Sequence, residues 1–386
     1  MKLKTDDIKK ALKVLKTNVT NPTNLLEASA YIYIVDSNIY VYNGRVAMMY
    51  TLPNKQLFSE KESIIALPLV EFSKLLSKIK TKEIDIEVKD DLIIVIANRI
   101  KAEFIFNRRI LTQVDLLFDG YDPDLILELP EDFRAGLHFC SFSCGKNDRT
   151  SKILIDSDCI VSTDTVRLSY YKLVEALKDR FLIPLDCVQE ILKHPITEYY
   201  IRSNRIFFTT DDHDLFISFP VFNEAFYDYK KLIQQPFTDK TGIPLDSSLI
   251  HDVDLVSVLS EDDFKRDNVI IMSIDDGYIS FFGEGKVGRI GSTIFEKSFK
   301  GISLTIEINP QFLQDVLKTS PIMKIKDDLA QFEKNNFIHI FPVTPIKEKL
   351  ETSKRLFLKA DEKVDGLNDD ASEKYHDGIQ NSDMEL

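Results

Sequence analysis

Apolar positions along the chain switch between two periods. In TDDIKKALKVLKTNV, beginning at Thr5, Ile8, Leu12 and Leu15 fall at the spacing of one helix face. AYIYIVD and NIYVYN follow, and their alternation predicts strands. The same succession returns twice. PEDFRAGLHFCSFS precedes SKILID and DCIVST, and DSSLIHDVDLVSVLS precedes VIIMSID and YISFFG. A second pattern begins at Ile64, Phe181 and Leu304: a short apolar strand, a helix starter, an amphipathic helix of two to three turns, then two or three strands. Its registers match. Pro68, Pro184 and Asn309 stand at the helix start, and Leu75-Leu76, Ile191-Leu192 and Val316-Leu317 follow at one common offset. Proline suits a first helical turn, where its missing N–H has no partner to lose, and asparagine suits a cap.

Every unit therefore reads helix, strands, helix, strands. Each half lays one helix over a small antiparallel sheet, which is an α+β architecture. The period is too long for a solenoid and marks a triplicated domain. The expected domains are residues 1–125, 126–240 and 241–346, with residues 347–386 as a tail.

Composition adds limits. The chain has 386 residues, 44% hydrophobic and 29% charged, as in soluble globular proteins. No window reads as a membrane span, and lysines interrupt the opening stretch too often for a signal peptide. The expected compartment is the cytoplasm, that of the host if the gene is a phage's. Net charge is −13. About half of it lies beyond residue 360, in a stretch of low apolar content expected to be disordered. The four cysteines, Cys140, Cys144, Cys159 and Cys187, are too few for a disulfide framework. His138-x-Cys140-x3-Cys144 lacks a second pair at finger-like spacing, so buried thiols are expected and no metal.

Three blocks carry a resemblance. They are Thr163-Asp164-Thr165-Val166-Arg167-Leu168, the end of IHIFPV at Phe341-Pro342-Val343, and Asn309 with Phe312 near the last helix. With the triplication, they make the chain similar to the bacterial DNA polymerase III β subunit, the sliding clamp, over about residues 1–345; a divergent, phage-encoded member would fit. In that family the first block reads Thr-Asp-Gly-His-Arg-Leu, so Thr165 and Val166 replace glycine and histidine here, and the chain typically ends Met-Pro-Met.

The resemblance implies the DNA clamp fold, a crescent of three repeated domains that pairs head to tail with a second copy as a ring. The ring encircles double-stranded DNA without reading sequence, as a non-catalytic processivity factor with no cofactor. A clamp that slides needs phosphate contacts, which lysine supplies as a flexible point charge. Lys9, Lys10, Lys13 and Lys16 on the first helix and Lys74, Lys78 and Lys80 on or beyond the second are candidates; a merely solvated helix face is the competing reading. The second domain offers Arg134, Lys146, Arg149, Lys152 and Lys193, and the third only Lys318, so positive potential is expected to concentrate in the first domain.

The resemblance also implies a hydrophobic cleft between domains 2 and 3 for short Leu/Phe peptides of the replicative polymerase and clamp loader. Thr163, Thr165, Val166, Arg167 and Leu168 would form one wall, and Asn309, Phe312, Ile338, Ile340, Phe341, Pro342 and Val343 the other. Arg167 or Asn309 would hold peptide carbonyls. A plain alternative pairs Arg167 with Asp164 and sinks Leu168 into the core. Leu356-Phe357 resembles the end of such peptides and suggests a tail that competes for the cleft.

Two other functions remain open. Asp211-Asp212 and Asp275-Asp276 could hold a metal for phosphoryl transfer in a nuclease, although each falls at an expected hairpin tip, where aspartate forms turns. A β-rich scaffold with no DNA role is the other. No phosphate loop, nucleophile elbow or histidine pair is present.

Overall fold

The computed structural model describes residues 2–16, 30–35, 37–53, 64–89, 91–105, 125–147, 149–222, 224–234, 237, 242–260 and 268–346. The expected tail, its Leu356-Phe357 pair and the boundary at 240 lie outside them.

A strand, a helix and three strands follow one another six times. The first two runs are β1 (Lys2–Lys4), α1 (Thr5–Leu15), β2 (Tyr31–Val35), β3 (Asn38–Tyr42) and β4 (Ala47–Thr51), then β5 (Ile65–Pro68), α2 (Leu69–Lys78), β6 (Glu83–Lys89), β7 (Leu92–Ala97) and β8 (Ile100–Ile105). The next two are β9 (Leu127–Glu128), α3 (Phe133–Ser141), β10 (Lys152–Asp156), β11 (Cys159–Thr163) and β12 (Leu168–Lys172), then β13 (Arg180–Pro184), α4 (Leu185–Lys193), β14 (Glu198–Arg202), β15 (Arg205–Thr209) and β16 (Leu215–Pro220). A short α5 (Lys230–Ile233) precedes the last two. They are β17 (Ile243–Pro244), α6 (Leu249–Ser260), β18 (Ile270–Asp275), β19 (Tyr278–Gly285) and β20 (Gly288–Phe295), then β21 (Ser303–Ile308), α7 (Pro310–Leu317), β22 (Ile322–Lys326), β23 (Leu329–Lys334) and β24 (Phe337–Pro342). β25 (Thr344–Pro345) ends the series.

The chain forms two compact units, Met1–Asp164 with Tyr170–Tyr227, and Thr165–Ser169 with Asp228–Leu386. In the first unit, β1-β6-β7-β8 make one sheet and β5-β2-β3-β4-β16-β15-β14-β9 another, while β10 pairs with β13 and β11. The eight-stranded sheet has a seam at β4 and β16, where runs distant in sequence join antiparallel. Leu215 stands opposite Tyr50, Phe216 opposite Met49, Ile217 opposite Met48 and Ser218 opposite Ala47. Met48, Tyr50, Leu215 and Ile217 are all buried there. In the second unit the sheets are β24-β23-β22-β17 and β20-β19-β18-β21-β25.

Local chemistry explains the helices. Asp6 and Asp7 open α1 and Lys13 closes it; Glu71 opens α2 and Lys78 closes it, each opposing the helix dipole. The expected stripe Ile8, Leu12, Leu15 is buried, as are Leu69, Phe72, Leu76 and Ile79, while Leu75 is only half-buried. One expectation needs correcting. Pro68 and Pro184 do not occupy the first turn; each is the extended residue before it, ending a strand and starting a helix at once. Proline tolerates both roles, because its fixed φ suits an extended residue and its N–H is not needed. Pro310 does occupy the first turn, with Asn309 as cap. The helices pack in pairs, α1 on α2, α3 on α4 and α6 on α7. Asp211-Asp212 and Asp276 sit in the β15–β16 and β18–β19 turns, Asp276 with φ of 46° beside Gly277 at 100°. Their turn placement is a sufficient reason for aspartate.

Candidate functional site

Leu168 and Arg167 leave a loop whose backbone is unusual. Thr165 has φ of 79°, in the left-handed region that β-branched residues avoid. Val166 beside it is 54% exposed, and Leu168 is buried. The Arg167 guanidinium lies 4.2 Å from the centre of the Phe312 ring, and its Nη1 donates to Asp315 Oδ2 at 3.4 Å. Only 12% of the Arg167 side chain and 11% of the Asp315 side chain are exposed. Asp315 also accepts from Lys318 Nζ at 3.1 Å and Gln311 Nε2 at 3.4 Å. A cation this far out of water needs such partners, and a charge over an aromatic face supplies about 1–2 kcal/mol when desolvated.

α7 is built to present these groups. Asn309 Oδ1 accepts from the backbone N–H of Gln311 at 3.0 Å and of Phe312 at 3.2 Å, which fixes the helix start. Phe312 and Asp315, three residues apart, then share a face. Phe312 meets the Phe341 ring edge-on at 5.6 Å between centres, and Phe341 stacks on Phe332 at 4.8 Å. Behind Arg167, Ser169 Oγ and His339 Nδ1 are 2.7 Å apart. Burial, with Arg167 adding to it, pushes the His339 imidazole down to about 3, so it is neutral at ordinary pH.

The expected cleft residues thus fall into three groups. Thr165, Val166 and Pro342 are exposed, and Arg167, Asn309, Phe312 and Ile338 are half-buried. Thr163, Leu168, Ile340, Phe341 and Val343 are buried; Phe341 and Val343 belong to the apolar core of the second unit with Leu313, Val316 and Phe332. Thr163 belongs to the first unit. Arg167 takes Asp315 on α7 as an ion partner, and Leu168 is buried. Asp315, Ser169 and His339 escaped the sequence reading. The Phe312–Asp315 helical spacing was a signal for the first; nothing local marked the other two.

The basic candidates also divide. Lys13, Lys16, Lys74, Lys78, Lys80, Lys146 and Arg149 are exposed, with no hydrogen-bond or ion-pair partner among the described residues. The other six are engaged. Lys9 Nζ donates to Ile79 O at 2.9 Å, tying α1 to the end of α2. Arg134 Nη2 donates to Leu192 O at 2.9 Å. Lys152 pairs with Glu224 at 2.6 Å, Lys193 with Glu190 at 2.7 Å and Lys318 with Asp315 at 3.1 Å. Lys10 Nζ lies 5.7 Å from the Tyr50 ring centre; Tyr50, then Asp214 and Asp212, raise its pKa. Among the described residues, the exposed, unengaged lysines and arginines of helices are therefore confined to α1 and α2 and their ends. On α6 the exposed residues are His251, Asp254, Leu255 and Val258.

Cys140, Cys159 and Cys187 are buried, Cys144 half-buried, and burial raises the Cys140 and Cys187 thiols. Among the described residues no three His, Cys, Asp or Glu side chains are grouped to hold a metal ion, and no helix is long and apolar enough to cross a membrane.

No family model matches the sequence, and no curated protein matches it. Solved structures do. The chain is similar to DNA polymerase III β chain from Streptococcus pneumoniae, at 16% identity and TM-score 0.74, covering 90% of this chain and 99% of that one. It is similar to the DNA polymerase sliding clamp of Bacillus subtilis, at 14% identity and TM-score 0.73, with the same coverage. It is also similar to the Helicobacter pylori β clamp bound to a DNA ligase peptide, at 15% identity and TM-score 0.70, again over 90% and 99%. At such low identity the agreement is one of architecture, over nearly the whole of each relative: the chain has the bacterial sliding-clamp fold.

Proposed function

We propose that this protein is a DNA sliding clamp, a non-catalytic processivity factor that closes with a second copy around duplex DNA and tethers replication enzymes by short peptides. The observation that supports it best is the sixfold run of β-α-β-β-β, matched to clamps over 90% of the chain. In that reading the three domains are residues 1–125, 126–240 and 241–346. Among the described strands, β8 and β20 each end a sheet and would be edges offered to a second copy.

Lys13, Lys16, Lys74 and Lys78 would meet phosphates and leave bases unread, as sliding requires. The peptide surface would comprise Val166, Arg167, Asn309, Phe312, Ile338 and Pro342. Apolar anchors worth about 1.5–3 kcal/mol each give weak, exchangeable binding there. In this reading Arg167, held by Asp315 and Phe312, would donate to a peptide carbonyl. The Helicobacter pylori clamp carries a DNA ligase peptide, so a peptide from a DNA-processing enzyme is the occupant to try first.

The test is retention on DNA. Protein loaded on nicked circular DNA should stay bound through gel filtration and leave when the circle is cut to a line. Equal retention on both forms would leave only ordinary binding, and retention on neither would favour the scaffold reading.

A further inference from the structure

The inner face of α6 buries Leu249, Val253 and Val256. On its other side His251, Asp254, Leu255 and Val258 are exposed, and their spacing of three and four residues makes them one stripe. Leu255 is 43% exposed and Val258 64%. Apolar residues on both sides are the pattern of a helix that is covered on both sides. The patch continues at the end of α6. Leu259 Cδ1 lies 3.7 Å from where a Cβ on Gly288 would stand, and Val287 beside that glycine is 86% exposed. α6 carries Asp252 and Asp254 and no lysine or arginine. Asp252 accepts from Ser292 Oγ, while Asp254 has no cation partner among the described residues.

The chain itself contains a complement. Residues 347–359 read KEKLETSKRLFLK. Lys347, Lys349, Lys354, Arg355 and Lys359 outnumber Glu348 and Glu351, and Leu356-Phe357-Leu358 is an unbroken apolar run. The starting point of this segment is fixed. β25 pairs with β21, and the Ile346 N–H donates to Thr305 O at 2.9 Å. β21 pairs in turn with β18, on which α6 packs. Two strand spacings, about 10 Å, separate β25 from β18. The ten residues from Ile346 to Leu356 can span up to about 33 Å, enough to round a helix about 10–12 Å across.

We propose that residues 347–359 lie along the outer stripe of α6, with Leu356, Phe357 and Leu358 covering Leu255 and Val258 and a neighbouring base pairing with Asp254. The cover brings more bases than acids, so a face that α6 alone makes apolar and acidic becomes basic. The contact does not depend on the clamp reading. The surface around Val166 is the other apolar seat for Leu356 and Phe357. There Arg167 and Lys318 already surround Asp315, so Lys354 and Arg355 would meet like charge.

Amide hydrogen exchange on the full chain, read by mass spectrometry, tests this. In the unsubstituted chain, residues 347–359 should exchange about tenfold or more slowly than residues 366–386. Leu255→Ser with Val258→Ser, both at exposed positions, should return them to the fast rate and leave exchange in β18–β24 unchanged. Leu356→Ser with Phe357→Ser, which touches no described residue, should speed exchange of the same segment. Val166→Glu should leave it slow. Fast exchange of 347–359 in the unsubstituted chain overturns the proposal. So does a segment that stays slow in the α6 variant, or one that Val166→Glu releases.

Discussion

The helix pairs α1/α2 and α6/α7 occupy the same places in their runs and bury the same kind of face, yet their outer chemistry is opposed. α1 and α2 expose Lys13, Lys16, Lys74 and Lys78 without partners among the described residues. α6 exposes Asp254, Leu255 and Val258, and on α7 Gln314 Nε2 donates to Asp254 Oδ1 at 3.3 Å while Lys318 is neutralised by Asp315. A repeated fold fixes where a helix lies; it does not fix what the helix offers. One pair is suited to a polyanion, and α7 is instead shaped around Phe312, Asp315 and the arginine they hold.

The largest effect should come from removing the first pair's charge. Lys13→Gln, Lys16→Gln, Lys74→Gln and Lys78→Gln together should make the slope of log affinity against log salt shallower by about three to four, at roughly 0.9 per lost phosphate contact. Binding to nicked circles at rising salt reads the slope. Asp254→Gln on α6 should change it by less than about one. Equal effects at the two sites would erase the distinction.

The sequence carried the element order well, because each helix repeats its apolar stripe and each strand its alternation. β1, β9 and β17 were missed, since two or three residues are too few to show a period. The lysines were legible as a face but not as free or engaged. Lys9 and Arg134 are spent on carbonyls far along the chain, and such distant partners leave no mark on local pattern. For the same reason Arg167 could be singled out while its pairing with Asp315, in another run, could not.

Next in size is a change on the second unit's surface. Val166 is 54% exposed, so Val166→Glu should leave folding intact. It should weaken a Leu/Phe peptide about tenfold, the loss of roughly 1.4 kcal/mol of apolar burial, read by fluorescence anisotropy. The salt slope on DNA should stay unchanged, so a variant that altered both would tie together two surfaces held here to be separate.

The buried imidazole predicts a pH effect confined to the second unit. His339 falls to about 3 in the folded chain from an ordinary value of 6.5. The unfolded chain therefore binds the extra proton between those values, and stability drops as pH falls through that window. At pH 5 the loss is about 2 kcal/mol relative to neutral pH. His339→Gln, whose amide can still meet Ser169, should flatten this part of the profile in urea titrations. A profile identical to that of the unsubstituted chain would assign the acid sensitivity to other groups.

The smallest expected effect bears on why a strained residue sits at the proposed peptide surface. Thr165 holds φ of 79°, where a β-branched side chain costs roughly 1–2 kcal/mol. Thr165→Gly relieves that strain but adds freedom to the unfolded chain worth about 0.5–1 kcal/mol. The balance is a gain of about 0.5–1 kcal/mol in unfolding free energy, read as a higher urea midpoint. Peptide affinity should fall slightly at the same time, because a glycine loop leaves Val166 and Arg167 less firmly placed. A loss of stability would instead mean that the Thr165 side chain makes contacts worth more than the strain it carries. DNA retention, which the proposed reading assigns to α1 and α2, should be the same in both chains, and that independence separates a local cost at the second unit from a change elsewhere in the chain.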